Sequence, residues 1–336
     1  MVDTPRLLIV VLNYKTPDLS IKAAAAALGE LAPFPGEIII VDNDSQDGSF
    51  EQMQAEVANR AWMSRVSVLQ SGRNGGFGAG NNFGILAGMA VNRKPDYVYI
   101  LNSDAFPDSG AIRALVDALE ADPKAGFAGS YIHGPDGEPH VTAFRFPSLA
   151  SEFEGAARTG FITRMFKDRR VPMELPASTQ AVDWLAGASL MMRRDVLEAI
   201  GLFDEKFFLY FEETDLCLRA NRAGWKTLYV RDSSVTHIGS VSTGLKTWTR
   251  MPQYWFASRL YYFAKNHGRR YARRATLAHF AGGLIWRFRR LVQRKPRMDP
   301  EYFLRDLMRH ATGCARQSTP KPDVPHIAVH AEIGAK

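Results

Sequence analysis

Asn102 and Asp104 form the first pair of side chains whose type and spacing suit chemistry. They follow the apolar run of residues 97–101, which predicts a buried strand. Oxygen ligands at the C-terminal edge of a sheet suit a hard cation such as Mg²⁺ or Mn²⁺, and a single carboxylate needs substrate phosphates to complete such a site. A turn or a helix cap is the alternative interpretation.

Glu212, Glu213 and Asp215 crowd the predicted start of a helix between two apolar segments. Such carboxylates are expected to be partly buried, and burial with mutual repulsion raises a carboxyl pKa towards the range of a general base. Exposed acids that complement the helix dipole are the alternative. His237 follows a predicted strand in a loop and is a candidate metal ligand or phosphate contact, or else a surface residue.

Two earlier segments favour a nucleotide site. Asp42 ends a predicted strand and begins a polar stretch, so its carboxylate could accept hydrogen bonds from a nucleobase while the following residues form a turn. The glycines from Gly75 to Gly80 would let backbone amides approach a phosphate at a helix start, and Arg73 could add a charged donor. A tight turn is the alternative, and no Walker lysine follows.

The elements that must position these residues alternate between strands and helices from residue 7 to residue 102. This order predicts an α/β fold with a mainly parallel sheet and helices on both faces. Residues 134–180 are rich in turn formers and charges, and we expect loops or a flexible insertion there. One domain is predicted for residues 1–245, a helical basic segment for 246–316, and a disordered tail for 317–336.

Charge and cysteine usage suggest where the protein acts. The net charge is +7, yet ten Lys and Arg and no Asp or Glu lie between Arg269 and Arg297, so the rest of the chain is slightly acidic. A basic amphipathic helix suits an anionic membrane surface, whereas packing on the catalytic body is the alternative. No nucleic-acid recognition module is present. Cys217 and Cys314 predict reduced thiols, and the apolar run of residues 7–12 is too short for a signal peptide.

Taken together, the motifs resemble the family 2 glycosyltransferases with the GT-A fold, and most closely bacterial rhamnosyltransferases. The resemblance covers residues 7–267 and is weakest at 134–180. It is carried, in chain order, by Val10-Val11-Leu12-Asn13-Tyr14, Val41-Asp42-Asn43-Asp44-Ser45, Asn74-Gly75-Gly76-Phe77, Asn81-Asn82, Leu101-Asn102-Ser103-Asp104, Trp184-Leu185-Ala186-Gly187-Ala188, Phe203-Asp204-Glu205, Phe207-Phe208 and Glu212-Glu213-Thr214-Asp215-Leu216-Cys217-Leu218-Arg219.

The resemblance implies a role for each matching position. Asp104 would be the main metal ligand, His237 would complete metal or diphosphate binding, and Glu213 would be the base, with Glu212 left open as an alternative. Asp42 would contact the nucleobase. The expected nucleotide-sugar site comprises Asn13, Asp42, Asn43, Arg73, Asn74, Gly75, Asn81, Asn102 and Ser103. The expected sugar and acceptor pocket comprises Trp184, Gly187 and Asp215.

The implied activity is inverting transfer of a sugar, L-rhamnose from dTDP-rhamnose, to a hydroxyl of a saccharide or lipid-linked saccharide. The donor would be a dTDP- or UDP-sugar and the cofactor Mg²⁺ or Mn²⁺. Residues 1–133 would form the nucleotide-sugar half and 181–245 the acceptor half. A nucleotidyltransferase and a non-catalytic sugar-nucleotide-binding subunit are the alternatives. The expected location is the cytoplasm, at the inner face of the cytoplasmic membrane through residues 269–297, with no nucleic acid as partner.

Overall fold

The computed structural model describes residues 4–90, 94–239, 249–297 and 299–313. The first part of the chain alternates strands and helices as predicted. Its elements are β1 (Leu7–Asn13), α1 (Pro17–Glu30), β2 (Gly36–Asp42), α2 (Ser49–Asn59), β3 (Val66–Gln70), α3 (Gly76–Met89) and β4 (Tyr97–Asn102).

The middle of the chain adds shorter elements. They are β5 (Ala105–Pro107), α4 (Ala111–Ala121), β6 (Ala125–His133), β7 (Ala143–Phe144), α5 (Leu149–Ala157), α6 (Gly160–Met165), a 3₁₀ turn (Lys167–Arg169), β8 (Gln180–Val182), β9 (Trp184–Leu185), β10 (Ser189–Arg193), α7 (Arg194–Ile200), α8 (Glu212–Arg222) and β11 (Lys226–His237). The C-terminal part is helical, with α9 (Gln253–His267), α10 (Arg269–Val292) and α11 (Phe303–Gly313).

Within the described residues, nine strands form the main sheet, in the order β3-β2-β1-β4-β10-β6-β11-β5, with β8 also paired to β11. Neighbours in the β3-β2-β1-β4 part are parallel, and β11 is parallel to β6. Strand β10 runs antiparallel between β4 and β6. Strands β7 and β9 form a separate pair. The predicted mainly parallel sheet is therefore confirmed.

The strands are apolar throughout because their side chains alternate between two cores. Ile9 of β1 packs in the core to which α1 and α4 contribute, and Val10 packs in the core to which α3 and α8 contribute. A strand covered on both faces reads as a continuous apolar run. Parallel register then brings the polar strand ends together, since Asn13 pairs with Asp42 and Leu12 with Asn102.

Two sequence expectations are wrong. Residues 134–180 are not all loop, because they include α5 and α6. Helix α5 begins with a capping box between Ser148 and Ser151, and it packs against α10, where a Cβ on Gly282 would lie 2.4 Å from the Phe153 carbonyl oxygen. His237 does not lie in a loop either, since it is the last residue of β11.

The predicted C-terminal helical segment is confirmed for its described part. The aromatic side chains Tyr262, Phe263 and Trp286 are buried there, and Tyr262 and Phe263 share a cluster with Leu218 of α8, so part of this segment packs on the preceding α/β part of the chain. Across the described ranges, no helix is both long enough and apolar enough to span a bilayer. Cys314 and the predicted tail at 317–336 lie outside the described residues.

Candidate active site

A cavity of about 900 Å³ opens at the C-terminal edge of the parallel strands. The ends of β1, β4 and β11, the segment before β10, the start of α8 and the first turn of α9 all contribute to its wall. The predicted site residues among those lining it are Asn43, Asn74, Asn102, Ser103, Asp104, Trp184, Gly187, Glu212, Glu213 and His237.

Asp104 and His237 form one side of the cavity. His237 Nε2 lies 3.1 Å from Asp104 Oδ1 and 3.4 Å from Asn102 Nδ2, and the Gly239 amide donates to Asp104 Oδ2 at 3.0 Å. Burial opposes ionisation of Asp104, but the hydrogen bond and charge of His237, with the backbone amides, outweigh it and lower the pKa of this carboxyl. Residues 133 positions apart meet because β5 pairs with β11.

The donor set at this side fits a divalent cation. A carboxylate and an imidazole meet on the cavity wall; the carboxylate is a ligand type that suits Mg²⁺ or Mn²⁺, and the imidazole is a ligand type that suits transition metals. The described residues contain no cluster of three or more His, Cys, Asp or Glu that could hold a metal. Two protein ligands would leave positions for phosphate oxygens, as is common where a metal is shared with a substrate.

The acidic start of α8 forms another part of the wall. Tyr210 and Phe211 precede it with φ values of 70° and 73°, a left-handed conformation that is costly for bulky residues. Glu212 is buried and Glu213 is half-buried, and within the described residues one oxygen of each carboxylate (Oε2) has no hydrogen-bond partner.

The pKa of both glutamates is raised. Burial is the main cause for each, and the charge of Glu213 adds to it at Glu212, whose pKa lies well above the ordinary value. Backbone amides, including that of Gly187 at Glu213, partly offset the effect. A carboxyl that lines a cavity and has a raised pKa has the properties of a general base.

The segment of residues 186–188 links the two sides. The Asn102 amide donates to the Ala188 carbonyl at 3.0 Å, and the neighbouring Gly187 amide donates to Glu213. A Cβ on Gly187 would lie 2.9 Å from the Phe77 ring and 3.8 Å from Glu213 Oε1. The lack of a side chain at this position keeps the backbone close to the carboxylate.

Only part of the predicted nucleotide site lies on the cavity wall. Asn43 donates to Asn74 Oδ1 at 3.1 Å, and both line the cavity. Asp42 is buried behind them, where its oxygens accept from Asn13 at 2.8 Å and from the Ser45 hydroxyl at 2.6 Å. The structure therefore gives Asp42 and Asn13 protein partners and does not place them on the cavity surface.

The glycine loop is held by the segment that precedes α8. Gly76 has φ of 86°, a Cβ there would lie 1.8 Å from the Phe208 carbonyl oxygen, and the Phe77 amide donates to that same oxygen. Arg73 is not among the residues lining the cavity and pairs with Glu205 at 2.8 Å. Gly75 is not among the lining residues, and Asn81 is buried with its Nδ2 on the Phe77 carbonyl.

Asp215 is not brought together with the other predicted pocket residues. It is buried, and its carboxylate accepts from Arg219 Nε at 2.9 Å, Lys265 Nζ at 2.8 Å and Asn266 Nδ2 at 2.9 Å. The positive charges of Arg219 and Lys265 lower the pKa of the Asp215 carboxyl although burial opposes this. Asp215 therefore joins α8 to α9, and a carboxylate with three donors on it is poorly suited to contact a sugar.

Several lining residues were not predicted. Phe144 stacks on Trp184 with ring centroids 4.2 Å apart, and His140 lies edge-on to His237 at 6.1 Å. The Thr142 hydroxyl is buried without a hydrogen-bond partner in the described part of the chain. Tyr254 comes from α9. His140, Thr142 and Phe144 lie in the segment that was expected to be loop, where the sequence shows no periodicity that would single them out. Tyr254 lies in a helix that was assigned outside the catalytic domain.

A GT-A-type sheet with candidate metal ligands and paired acids around one cavity is the architecture of a nucleotide-sugar glycosyltransferase. The chain belongs to the family described as glycosyltransferase like family 2, which matches residues 5–271. The family resemblance and the GT-A fold predicted from the motifs are thus confirmed, and the protein is a glycosyltransferase.

Its relatives include proteins named as sugar transferases. The N-acetylglucosaminyl-diphospho-decaprenol L-rhamnosyltransferase of Mycobacterium tuberculosis is 32% identical over 253 residues, which cover 72% of this chain and 78% of that protein. Rhamnosyltransferase WbbL of Escherichia coli is 27% identical over 46% of this chain and 58% of its own length. The mannosyltransferase PcManGT of Pyrobaculum calidifontis, solved with GDP-Man and Mn²⁺, shares the fold with a TM-score of 0.54 at 14% identity, over 94% of this chain and 87% of that one.

Proposed function

We propose that this glycosyltransferase transfers L-rhamnose from dTDP-rhamnose to a hydroxyl of a lipid-linked saccharide, with inversion at the sugar C1. The observation that carries the proposal is the single cavity that Asp104, His237, Glu212 and Glu213 share. Rhamnose and the lipid-linked acceptor are supported by the name of the 32% identical relative, which states both.

Donor binding is assigned to the wall formed by the ends of β1, β2 and β4. Tyr14, Asn43 and Asn74 offer a ring and amide groups at the cavity surface, where a nucleoside would lie. Asp42 would act from behind by holding Asn13 and Ser45. Asp104 and His237, with Asn102 beside them, would hold Mg²⁺ or Mn²⁺, which when bound supplies positive charge next to the donor diphosphate.

Glu213 is the proposed base. Its carboxylate is half-buried, lines the cavity and meets the Gly187 amide, whereas Glu212 is buried more deeply. Glu213 would accept the proton of the acceptor hydroxyl as that oxygen bonds to C1. The bond from C1 to the diphosphate oxygen breaks at the same time, and its electron pair leaves with the diphosphate.

The stacked pair of Phe144 and Trp184 forms a flat apolar surface beside this centre. Flat aromatic faces suit the C–H-bearing face of a sugar ring, so this pair is assigned to the transferred sugar or the acceptor sugar. The Trp184 indole is oriented by its bond to the Arg145 carbonyl at 2.9 Å.

The test is a transfer assay with purified protein, Mn²⁺, radiolabelled dTDP-rhamnose and a bacterial lipid extract as acceptor source. The proposal predicts dTDP release together with label in the lipid fraction, and neither with Glu213→Gln. Consumption of a different nucleotide sugar in its place would overturn the rhamnose assignment. Tight donor binding without turnover in any extract would favour the non-catalytic subunit, and pyrophosphate release from dTTP with a sugar phosphate would favour a nucleotidyltransferase.

A further inference from the structure

Helix α10 carries a row of large apolar side chains that the fold leaves exposed. Phe288 is 72% exposed, Leu291 70% and Val292 68%. With three others they form what we call the apolar stripe: Leu277, Leu284, Ile285, Phe288, Leu291 and Val292. Spacings of seven, four and three residues place them on one face of the helix.

The opposite face of α10 fixes the helix to the protein. Gly282 lies against the Phe153 carbonyl of α5, Gly283 lies against Leu304 of α11, and Trp286 is buried. The apolar stripe is therefore an outer face held by close packing on the other side. Contiguous exposed apolar surface of this kind marks an interaction site.

Positive charge frames the apolar stripe at both ends. Arg270 and Arg274 are exposed in the first turns of α10, and Arg294, Lys295 and Arg297 are exposed beyond its last turn. The sequence from residue 269 to residue 297 contains no Asp or Glu. The face thus offers apolar side chains for insertion and cations for an anionic partner.

The charge pattern distinguishes two possible partners of the apolar stripe, a second copy of the chain and an anionic bilayer. Two copies paired through this face would bring cationic ends together, in either relative orientation of the two helices, and like charges opposed across an interface cost several kcal/mol. An anionic bilayer accepts both features, because the apolar side chains enter the boundary of headgroups and acyl chains while the arginines contact the phosphates. At about 1.5 Å per residue, α10 is roughly 36 Å long and would lie along the surface.

We infer that α10 docks this glycosyltransferase on an anionic lipid bilayer, with the apolar stripe inserted at the headgroup boundary. Helix α9 connects this surface to the cavity, since its Tyr254 lines the cavity while Tyr262 and Phe263 pack in one cluster with Ala272 and Ala275 of α10. Docking itself does not depend on the proposed function; only its suggested purpose, access to a lipid-linked acceptor, rests on that proposal.

Co-sedimentation of the full chain with vesicles tests the inference without donor or acceptor, so its failure is separate from failure of the proposed function. Vesicles of phosphatidylcholine alone are compared with vesicles containing phosphatidylglycerol. We expect binding to the anionic vesicles, weakened by high salt, and little binding to the neutral ones. Equal binding to both, or none to either, would overturn the inference.

Matched variants locate the contact. Phe288→Ser should weaken binding about tenfold, since an apolar anchor is lost, whereas Met63→Ser, at the same 72% exposure elsewhere, should not change it. The pair Arg270→Gln and Arg274→Gln should weaken binding about thirtyfold, which corresponds to about 1 kcal/mol for each basic side chain at an anionic surface. The charge-matched pair Lys22→Gln and Lys124→Gln should have little effect.

Two results would contradict the assignment to α10. One is equal loss of binding in the matched control variants. The other is a concentration-dependent dimer in sedimentation velocity that Phe288→Ser converts to monomer, because the apolar stripe would then be a contact between copies. Melting curves and turnover with a soluble acceptor should match the parent protein for all variants, since each altered side chain is exposed.

Discussion

Asp104 and Glu213 line the same cavity, yet their surroundings shift their pKa values in opposite directions. Burial opposes ionisation at both. At Asp104 it is outweighed by His237 and the Gly239 amide, whereas Glu213 has only backbone amides to offset it and lies beside a second glutamate. The comparison shows that partners, more than burial, decide whether a carboxylate stays charged to hold a cation or is poised to take a proton.

Glu213→Gln should give the largest effect, because it removes the proton acceptor while keeping the shape of the side chain. We expect the rate of sugar transfer to fall about a thousandfold, within the usual range for a general base. Donor affinity, measured by calorimetry with dTDP-rhamnose, should stay within a few-fold of the parent value. Near-normal turnover would assign the base to Glu212 or to another residue.

Asp215→Ala sharpens the comparison with a third carboxylate of the same helix start. Arg219 and Lys265 would lose a buried partner, so we expect a loss of about 3 kcal/mol in the free energy of unfolding, measured by urea denaturation. Asp122→Ala is the control, because its ion pair with Lys226 is solvent-exposed and should contribute little to the free energy of unfolding. Equal losses in the two variants would contradict the anchoring role.

Asp104→Ala should separate cation binding from proton transfer. We expect Mn²⁺ to bind about a hundredfold more weakly in the presence of dTDP, measured by calorimetry, because only His237 and Asn102 would remain at that side. The matched variant Asp108→Ala removes a carboxylate that contacts His133 and Ser234 instead, and it should leave Mn²⁺ binding unchanged. Unaltered Mn²⁺ affinity in Asp104→Ala would place the cation elsewhere.

Glu212→Gln should change how stability depends on pH. The pKa of Glu212 is higher in the folded than in the unfolded protein. The contribution of Glu212 to the free energy of unfolding is therefore fully present below the unfolded-state pKa, and it is lost as pH rises towards the folded-state pKa. Each unit of such a shift corresponds to about 1.4 kcal/mol. The melting temperature of the variant should therefore exceed that of the parent by more at pH 8 than at pH 5; a constant difference would argue against a raised pKa.

Local pattern was sufficient to predict much of the fold. Strands β1, β2 and β4 are continuous apolar runs, and their parallel register follows from the helices between them. Asp104 and the acidic start of α8 could be predicted as site candidates because their polar side chains adjoin apolar segments. The family resemblance assigned His237 and Asp104 to the same metal and diphosphate site, and the structure places the two side chains 3.1 Å apart; it did not predict that His237 ends β11.

The remaining features depend on contacts that sequence spacing does not encode. Asp215 has the residue type and helix position expected of a catalytic acid. Its bonds to Arg219 and, about fifty residues later, to Lys265 and Asn266 make it an anchor between helices. Asp42 is removed from the cavity surface by its bonds to Asn13 and Ser45. Helix α5 has only nine residues, too few to show a clear periodicity in the sequence, and its place in the fold is fixed by packing on α10.

A crystal structure with dTDP-rhamnose and Mn²⁺ bound to Glu213→Gln would test the central claim most directly. The account predicts the diphosphate and the ion at Asp104 and His237, with the rhamnose C1 in the space between them and the side chain at position 213. A donor seated with its diphosphate at Arg73, outside the cavity, or with its sugar directed away from residue 213, would contradict it.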